Sequence, residues 1–304
     1  MRSIAILGVL FLFPGAQPAT PSFVGITYSE RTVTEPRPLR MHVAQIDLAA
    51  KGLRFKVSPP GGDREVVRES TLEFLRREHA QLAVNAHYFL PFPSPDRTAW
   101  VIGLAASEGI VFSAFESPEQ NFALVTDAPA INIDRDNHAT LVHRDPAYAD
   151  GTHVKEHVTL WNVVAGSSQI VTDGRVTVPV YRDADHPDGQ LEPGGPTNYS
   201  NAKAWADATT ARTAIGLSRD RRTLTLFTVD VRGGSEGMRL SEVAKVLIGD
   251  FGVADALNLD GGGSTTMAME DASGRPSIVN VSSDNPSGRV VATSLAVFAQ
   301  RRDR

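Results

Sequence analysis

The sequence predicts a single β-rich α+β domain, built on a mixed sheet with few helices. Three observations carry that expectation. Between Trp100 and Val178, short apolar runs alternate with turn residues at the spacing of strands. Only two stretches, one opening at Ser70 and one running from Leu240 to Phe251, carry helix signals. The 304 residues, 41% hydrophobic and 21% charged, suffice for one large core of the globular kind. A formal net charge of -5 leaves no basic footprint for nucleic acid.

The chain opens with Arg2, an apolar run from Ile4 to Phe13 and a small-residue stretch ending near Ala19. That is the order of a secretory signal, too short to span a bilayer. The expected organisation is a signal peptide over residues 1–20 and one domain over 21–304. The protein would be exported, periplasmic or secreted, with no stable membrane insertion after signal removal. With no cysteine, neither disulfides nor thiolate metal sites are available. Nothing in the sequence speaks to the oligomeric state.

Met41 to Leu48 and Leu53 to Val57 alternate as strands and are expected to pair as a hairpin. Ser70-Thr71-Leu72-Glu73 is a capping box for a helix running to about His79. Gln81 to Val84 follows as a short buried strand, ending in Asn85-Ala86-His87-Tyr88-Phe89. Asn85, His87 and Tyr88 can hydrogen-bond a sugar or a phosphate, and an imidazole also titrates near neutral pH. For His87 the competing expectation is a satisfied core residue against Tyr88, Phe89 and Phe92. Leu90 to Pro95, with three prolines, predicts a rigid loop able to wall a cleft.

Seven apolar runs follow up to Val178, Phe122 to Thr126 among them, and Asp173-Gly174 marks a two-residue hairpin turn. His138, His143, His153 and His157 lack metal-site spacing and are expected on the surface. Asp183 to Asn201 is polar, with Pro and Gly clusters, and predicts a long loop.

The C-terminal third is the most legible. Arg212 to Leu217 and Thr223 to Asp230 are strands joined by a charged turn, and antiparallel pairing would gather Arg212, Asp230 and Arg232 at one edge. Leu240, Val243, Ala244, Leu247, Ile248 and Phe251 recur at helical spacing. The strand Ala256 to Leu259 then delivers Asp260-Gly261-Gly262-Gly263-Ser264. Strand, helix and strand make a crossover unit with the two strands parallel, and ligands gather at the carboxyl ends of such strands. Three glycines could turn their N–H groups onto an anion; the alternative is a tight turn. Ser264 lacks the glycine two residues on that a nucleophile elbow needs, and no P-loop lysine follows. Arg289 stands at the entry of the last strand, after a second polar loop.

These residues resemble the phosphodiester glycosidase family, whose bacterial members are exported proteins. The resemblance rests on Arg212-Thr213-Ala214-Ile215-Gly216, on Asp230-x-Arg232 followed by Ser235-x-Gly237-Met238, on Asn258 to Met267 and on Arg289-x-Val291, with Asn85 to Phe89 as a fifth stretch. It covers roughly residues 80 to 299. Ala86 stands where the family has glycine, and Val231 interrupts an Asp-Gly-Arg run. The resemblance implies a single catalytic domain that hydrolyses a sugar 1-phosphodiester to the sugar and a phosphomonoester. Asp260 and Asp230 would be the catalytic residues, Asp260 as nucleophile or base and Asp230 as second carboxylate or as the group orienting an arginine. Asn85, His87, Arg212, Thr213, Arg232, Gly261, Gly262, Gly263, Ser264 and Arg289 would bind the carbohydrate phosphodiester. No cofactor is expected to be required, although Asp260, Asp230 and backbone carbonyls could hold a divalent cation. The alternative function is a non-catalytic module that binds phosphorylated cell-envelope glycan.

Overall fold

The computed structural model describes residues 23–115, 128–180 and 206–302. The expected signal peptide, the run Phe122 to Thr126 and the loop from Asp183 to Asn201 lie outside the described residues. Among the described residues the chain forms one α+β unit of antiparallel sheets with two α-helices, α1 (Thr71–Glu78) and α2 (Leu240–Phe251).

A seven-stranded sheet runs in the order Ile26–Val33, Leu39–Asp47, Thr223–Val229, Arg212–Ser218, Val253–Asn258, Ser168–Thr172, Arg175–Val176. A five-stranded sheet faces it, in the order Pro276–Ile278, Met267–Glu270, Leu82–Asn85, Ser294–Phe298, Arg54–Val57. Strand alternation decides which side chains meet. From Leu39–Asp47, Met41 and Val43 point outward to α2, whereas Ala44 and Ile46 point inward. The inward residues join Leu82, Val84, Leu226, Leu257 and Leu295 in the core between the sheets. α2 lays Leu240, Val243, Ala244 and Leu247 on the outer face of the large sheet. α1 lays Phe74 and Leu75 over Ala83, Ala268 and Ala296 on the far face of the other. A second five-stranded sheet, from Ala105–Ser107 to Asn162–Ala165, closes one end of the core.

The local signals resolve as their chemistry requires. Ser70 accepts from the Glu73 amide and Glu73 accepts from Ser70, so the capping box closes both ways. α2 ends on Gly252 in the left-handed conformation. Asp173 and Gly174 both take positive φ, the geometry of a two-residue hairpin turn.

Two expectations need correction. Residues 39–47 and 54–57 are not a hairpin: the first pairs with 26–33 and 223–229, the second with 294–298 in the other sheet. Both segments alternate because both line the shared core, and alternation does not name a partner. The strands flanking α2 do run in the same direction, yet Arg212–Ser218 lies between them and pairs antiparallel with each. The sheet therefore contains no parallel ladder among the described strands, but the ends of Thr223–Val229 and Val253–Asn258 still emerge at one edge.

Candidate active site

That edge is where the site lies. Leu259 and Asp260 leave the large sheet and turn through a single 3₁₀ turn, Gly262–Ser264, into the Met267–Glu270 strand of the facing sheet. The segment is clamped on the way. Asn85 donates from Nδ2 to the Asp260 carbonyl at 2.6 Å, and its Oδ1 accepts from Thr213 Oγ1 at 2.8 Å and the Thr266 amide at 3.0 Å. The Asp260 amide donates to the Ala86 carbonyl at 3.0 Å. Asn85 and Thr213 thus fix the Asp260 backbone, each fully buried.

Asp260 itself is half-buried. The burial pushes its carboxyl up to about 7, against the opposing pull of the Ser264 hydroxyl, the Arg289 charge and the Gly261 amide. Arg289 donates from Nη1 to Ser264 Oγ at 3.3 Å and from Nε to Asp284 at 2.8 Å. Its guanidinium carbon stands 4.6 Å from the centre of the Phe92 ring, on the proline-rich loop expected to wall a cleft. Asp260, Ser264 and Arg289 therefore form one connected group, edged by Phe92.

Of the three glycine amides expected to face an anion, those of Gly261 and Gly262 have partners within the protein. The Gly262 amide donates to the Ala211 carbonyl, Ser264 to Gly261 and Thr265 to Gly262, while Gly261 donates to the Asp260 carboxylate. Those four N–H groups are met inside the protein. The glycines also serve close approach. A Cβ on Gly261 would stand 2.9 Å from the Ala211 carbonyl oxygen, and one on Gly263 would overlap the Arg289 guanidinium.

Asp230 and the other expected residues are distributed around this group. Asp230 is fully buried, with its carboxylate taken by His42, Asn280 and the Val281 amide. Arg212 is buried at the adjoining strand end and donates to the carbonyls of Met238 and Ala208, where burial lowers its pKa to about 10. Arg232 is exposed and enters no ion pair among the described residues. His87 is the satisfied core histidine. Its Nε2 accepts from the Ala165 amide at 3.0 Å, its Nδ1 meets Thr293 Oγ1 at 2.8 Å, and burial lowers its pKa to about 4. A neutral, fully enclosed imidazole neither faces a sugar nor shuttles protons at neutral pH, so the substrate-binding expectation for His87 is corrected to packing.

The sequence marks Tyr88 beside Asn85 and His87 as a polar group able to bond a sugar or phosphate, and does not single out Arg68. The half-buried Tyr88 accepts at its hydroxyl from Asn258 Nδ2 at 2.9 Å; burial first, and the Asp260 charge next, push the phenol up to about 12. Tyr88 follows His87 in the irregular stretch between the strands Leu82–Asn85 and Phe89–Leu90, and its hydroxyl meets Asn258 where the His87 ring is wholly enclosed. Arg68 presses its guanidinium on the Phe89 ring and holds the carbonyls of Ser94, Asp96 and Val290. Burial and the nearby Arg289 charge lower its pKa. It sits between two short strands and belongs to no motif.

Neither Asp260 nor Asp230 belongs to a group of three potential metal ligands among the described residues. Asp134, Asp136 and His138 do form such a group, near the surface. The surface histidines are not isolated: His138, His143 and His153 each meet a carboxylate within 3.1 Å.

A β-rich domain of packed antiparallel sheets, with a raised-pKa acid and an arginine recessed together at strand ends, presents a candidate active site. The sequence profile described as phosphodiester glycosidase matches residues 78–298, and the chain belongs to that family. No curated protein matches the sequence significantly. Among solved structures, a hypothetical protein from Synechocystis is similar with a TM-score of 0.62 at 15% identity, over 91% of this chain. This chain spans 62% of the length of that protein. The zebrafish N-acetylglucosamine-1-phosphodiester alpha-N-acetylglucosaminidase catalytic domain, auto-inhibited by its pro-peptide, is similar with a TM-score of 0.61 at 23% identity, over 94% of this chain and 88% of its own. A putative exported protein from Burkholderia pseudomallei has a TM-score of 0.54 at 16% identity, over 91% of this chain and 76% of its own. No helix among the described residues is long and apolar enough to cross a membrane.

Proposed function

We propose that the protein is an exported glycosidase that hydrolyses a sugar 1-phosphodiester, releasing the sugar and a phosphomonoester. The observation that carries the reading is the Asp260, Ser264 and Arg289 group: a carboxyl raised to about 7 and a guanidinium sharing one hydroxyl between them. Asp260 in its carboxylate form is the nucleophile at the sugar carbon, or the base for an attacking water. As the bond from the anomeric carbon to the phosphate oxygen breaks, its electron pair stays with the phosphate. Arg289 stabilises that charge, and Arg68 adds a second cation beside it. A leaving group that departs as a stable anion reduces the need for a strong acid. Arg212 contributes its charge from behind the strand end, Arg232 offers a cation at the rim, and Asn85 and Thr213 hold Asp260 in place. The chemistry so described needs no metal. Export rests on the signal-like first twenty residues, and the similar exported protein from Burkholderia agrees with it.

The test is hydrolysis of a small panel of sugar 1-phosphodiesters in oxygen-18 water, with both products identified. Label in the sugar and loss of turnover in Asp260→Asn are expected. Label in the phosphate would sink the glycosidase reading, and binding without turnover would favour the non-catalytic module.

A further inference from the structure

Asp230 is a carboxylate with no access to solvent, so its charge must be met by donors inside the protein. Three meet it. Oδ1 accepts from the Val281 amide at 3.0 Å and from Asn280 Nδ2 at 3.3 Å, and Oδ2 lies 3.3 Å from Nε2 of the fully buried His42. The other imidazole nitrogen, Nδ1, lies 2.8 Å from the hydroxyl of Tyr28. Both contacts are satisfied when Tyr28 donates to Nδ1 and Nε2–H donates to Asp230. The chain of contacts does not stop at Asp230. Asn280 also donates to the Thr265 carbonyl at 3.1 Å and accepts from the Met267 amide at 2.7 Å.

Asn280 therefore grips the same segment that Asn85 grips from the other side, where Asn85 takes the Thr266 amide and the Asp260 carbonyl. Two buried asparagines fix the descent from Asp260 to Met267, and one of them is itself held by Asp230. Backbone contacts lock Asp230 in turn: its amide donates to the Arg40 carbonyl, and its carbonyl accepts from Ser235 Oγ at 2.6 Å. Buried networks with every member partnered are rigid, and they fail as units.

We propose that Tyr28, His42 and Asp230 form a positioning relay that acts through Asn280 on the segment carrying Asp260. The inference deepens the glycosidase reading and rests on it for its catalytic meaning. In it Asp230 is a positioning residue and touches no substrate. Tyr28 and His42 lie upstream of the family-matched residues 78–298. The first hairpin of the large sheet, Ile26–Val33 with Leu39–Asp47, is therefore a working part of the site.

The test pairs amide hydrogen exchange with kinetics in Tyr28→Phe, His42→Gln, Asp230→Asn and Asn280→Ala, with Val163→Ala in the distant core as a control for general destabilisation. His42→Gln and Asp230→Asn should speed exchange at Met267 and Val281 by about tenfold, with Tyr28→Phe weaker. The same variants should lower kcat by about tenfold while KM stays within about twofold. His42→Gln combined with Asn280→Ala should cost no more than Asn280→Ala alone. Unchanged exchange at Met267 in His42→Gln and Asp230→Asn, fully additive losses, or the same pattern in Val163→Ala would each overturn the relay. A wild type that turns over no sugar 1-phosphodiester, yet shows this exchange pattern, would remove the glycosidase reading and leave the relay standing.

Discussion

The guanidinium of Arg289 occupies the space that a Cβ on Gly263 would need. A glycine is required there for what lies over it and not for its own backbone, since Gly263 is absent from the positive-φ positions. Gly263→Ala should push Arg289 off Ser264 and away from Phe92. Because a long side chain can swing aside, the fold should survive with little change in Tm. The loss should appear in kcat/KM, by about 10- to 100-fold, or roughly 1.4 to 2.7 kcal/mol. Arg289→Ala should lose at least as much, and the double variant no more than Arg289→Ala. Wild-type kinetics in Gly263→Ala would show that the position of Arg289 does not matter.

The contrast between Gly263 and His87 shows what the sequence could convey. The capping box at Ser70, the α2 periodicity and the Asp173-Gly174 turn are local, and local chemistry is legible along the chain. Asp260 and Arg289 were also legible, as charged residues beside loops at strand ends. Partners were not. Whether 39–47 pairs with 54–57 or with 223–229 depends on contacts nearly two hundred residues apart, which no window reveals. The same limit hid the contacts of Asn280 and Tyr28, and it made the Gly262 amide look available when the Ala211 carbonyl takes it.

His87 gives a stability prediction with a definite sign. Its folded pKa, lowered to about 4, lies below the ordinary histidine value, so the unfolded chain binds the proton more readily. The contribution is complete above about pH 6.5 and is lost as the pH falls towards 4. Against His87→Gln, which does not titrate, the wild type should lose up to about 3 kcal/mol of its advantage between pH 7 and pH 4. Denaturant titrations at several pH values measure this. A gap that stays constant across that window would mean that His87 is not buried in its neutral form.

The Asn85 clamp separates two variants that look similar on paper. Asn85→Ala strips partners from the Thr213 hydroxyl, the Thr266 amide and the Asp260 carbonyl at once. Leaving buried groups unpaired at about 1 to 3 kcal/mol each predicts a loss of several kcal/mol together with loss of activity. Thr213→Val removes only one donor from an oxygen that keeps the Thr266 amide, and should cost about 1 kcal/mol with most activity retained. Equal losses in the two would place the function of the clamp in Thr213 rather than in the hold on Asp260.

Asp260 offers the sharpest pH test, because kinetics and stability must agree. As nucleophile or base it works as the carboxylate, so kcat/KM should rise with pH along a limb centred near 7. Arg289 and the Ser264 hydroxyl both hold the carboxyl down against its burial, so Arg289→Ala and Ser264→Ala should each move that limb to higher pH. In stability the sign is opposite to that of His87. A folded pKa above the ordinary aspartate value means that the contribution is complete below about pH 4 and is lost as the pH rises through 7. Asp260→Asn should match wild type near pH 4 and exceed it at pH 8. The excess should be about 1 to 3 kcal/mol, since solvent at the exposed edge of Asp260 screens part of the full shift. A rate that falls through pH 7 while Asp260→Asn gains stability would make Asp260 the proton donor. A variant with no stability gain at pH 8 would show that the recess does not strain its carboxylate at all.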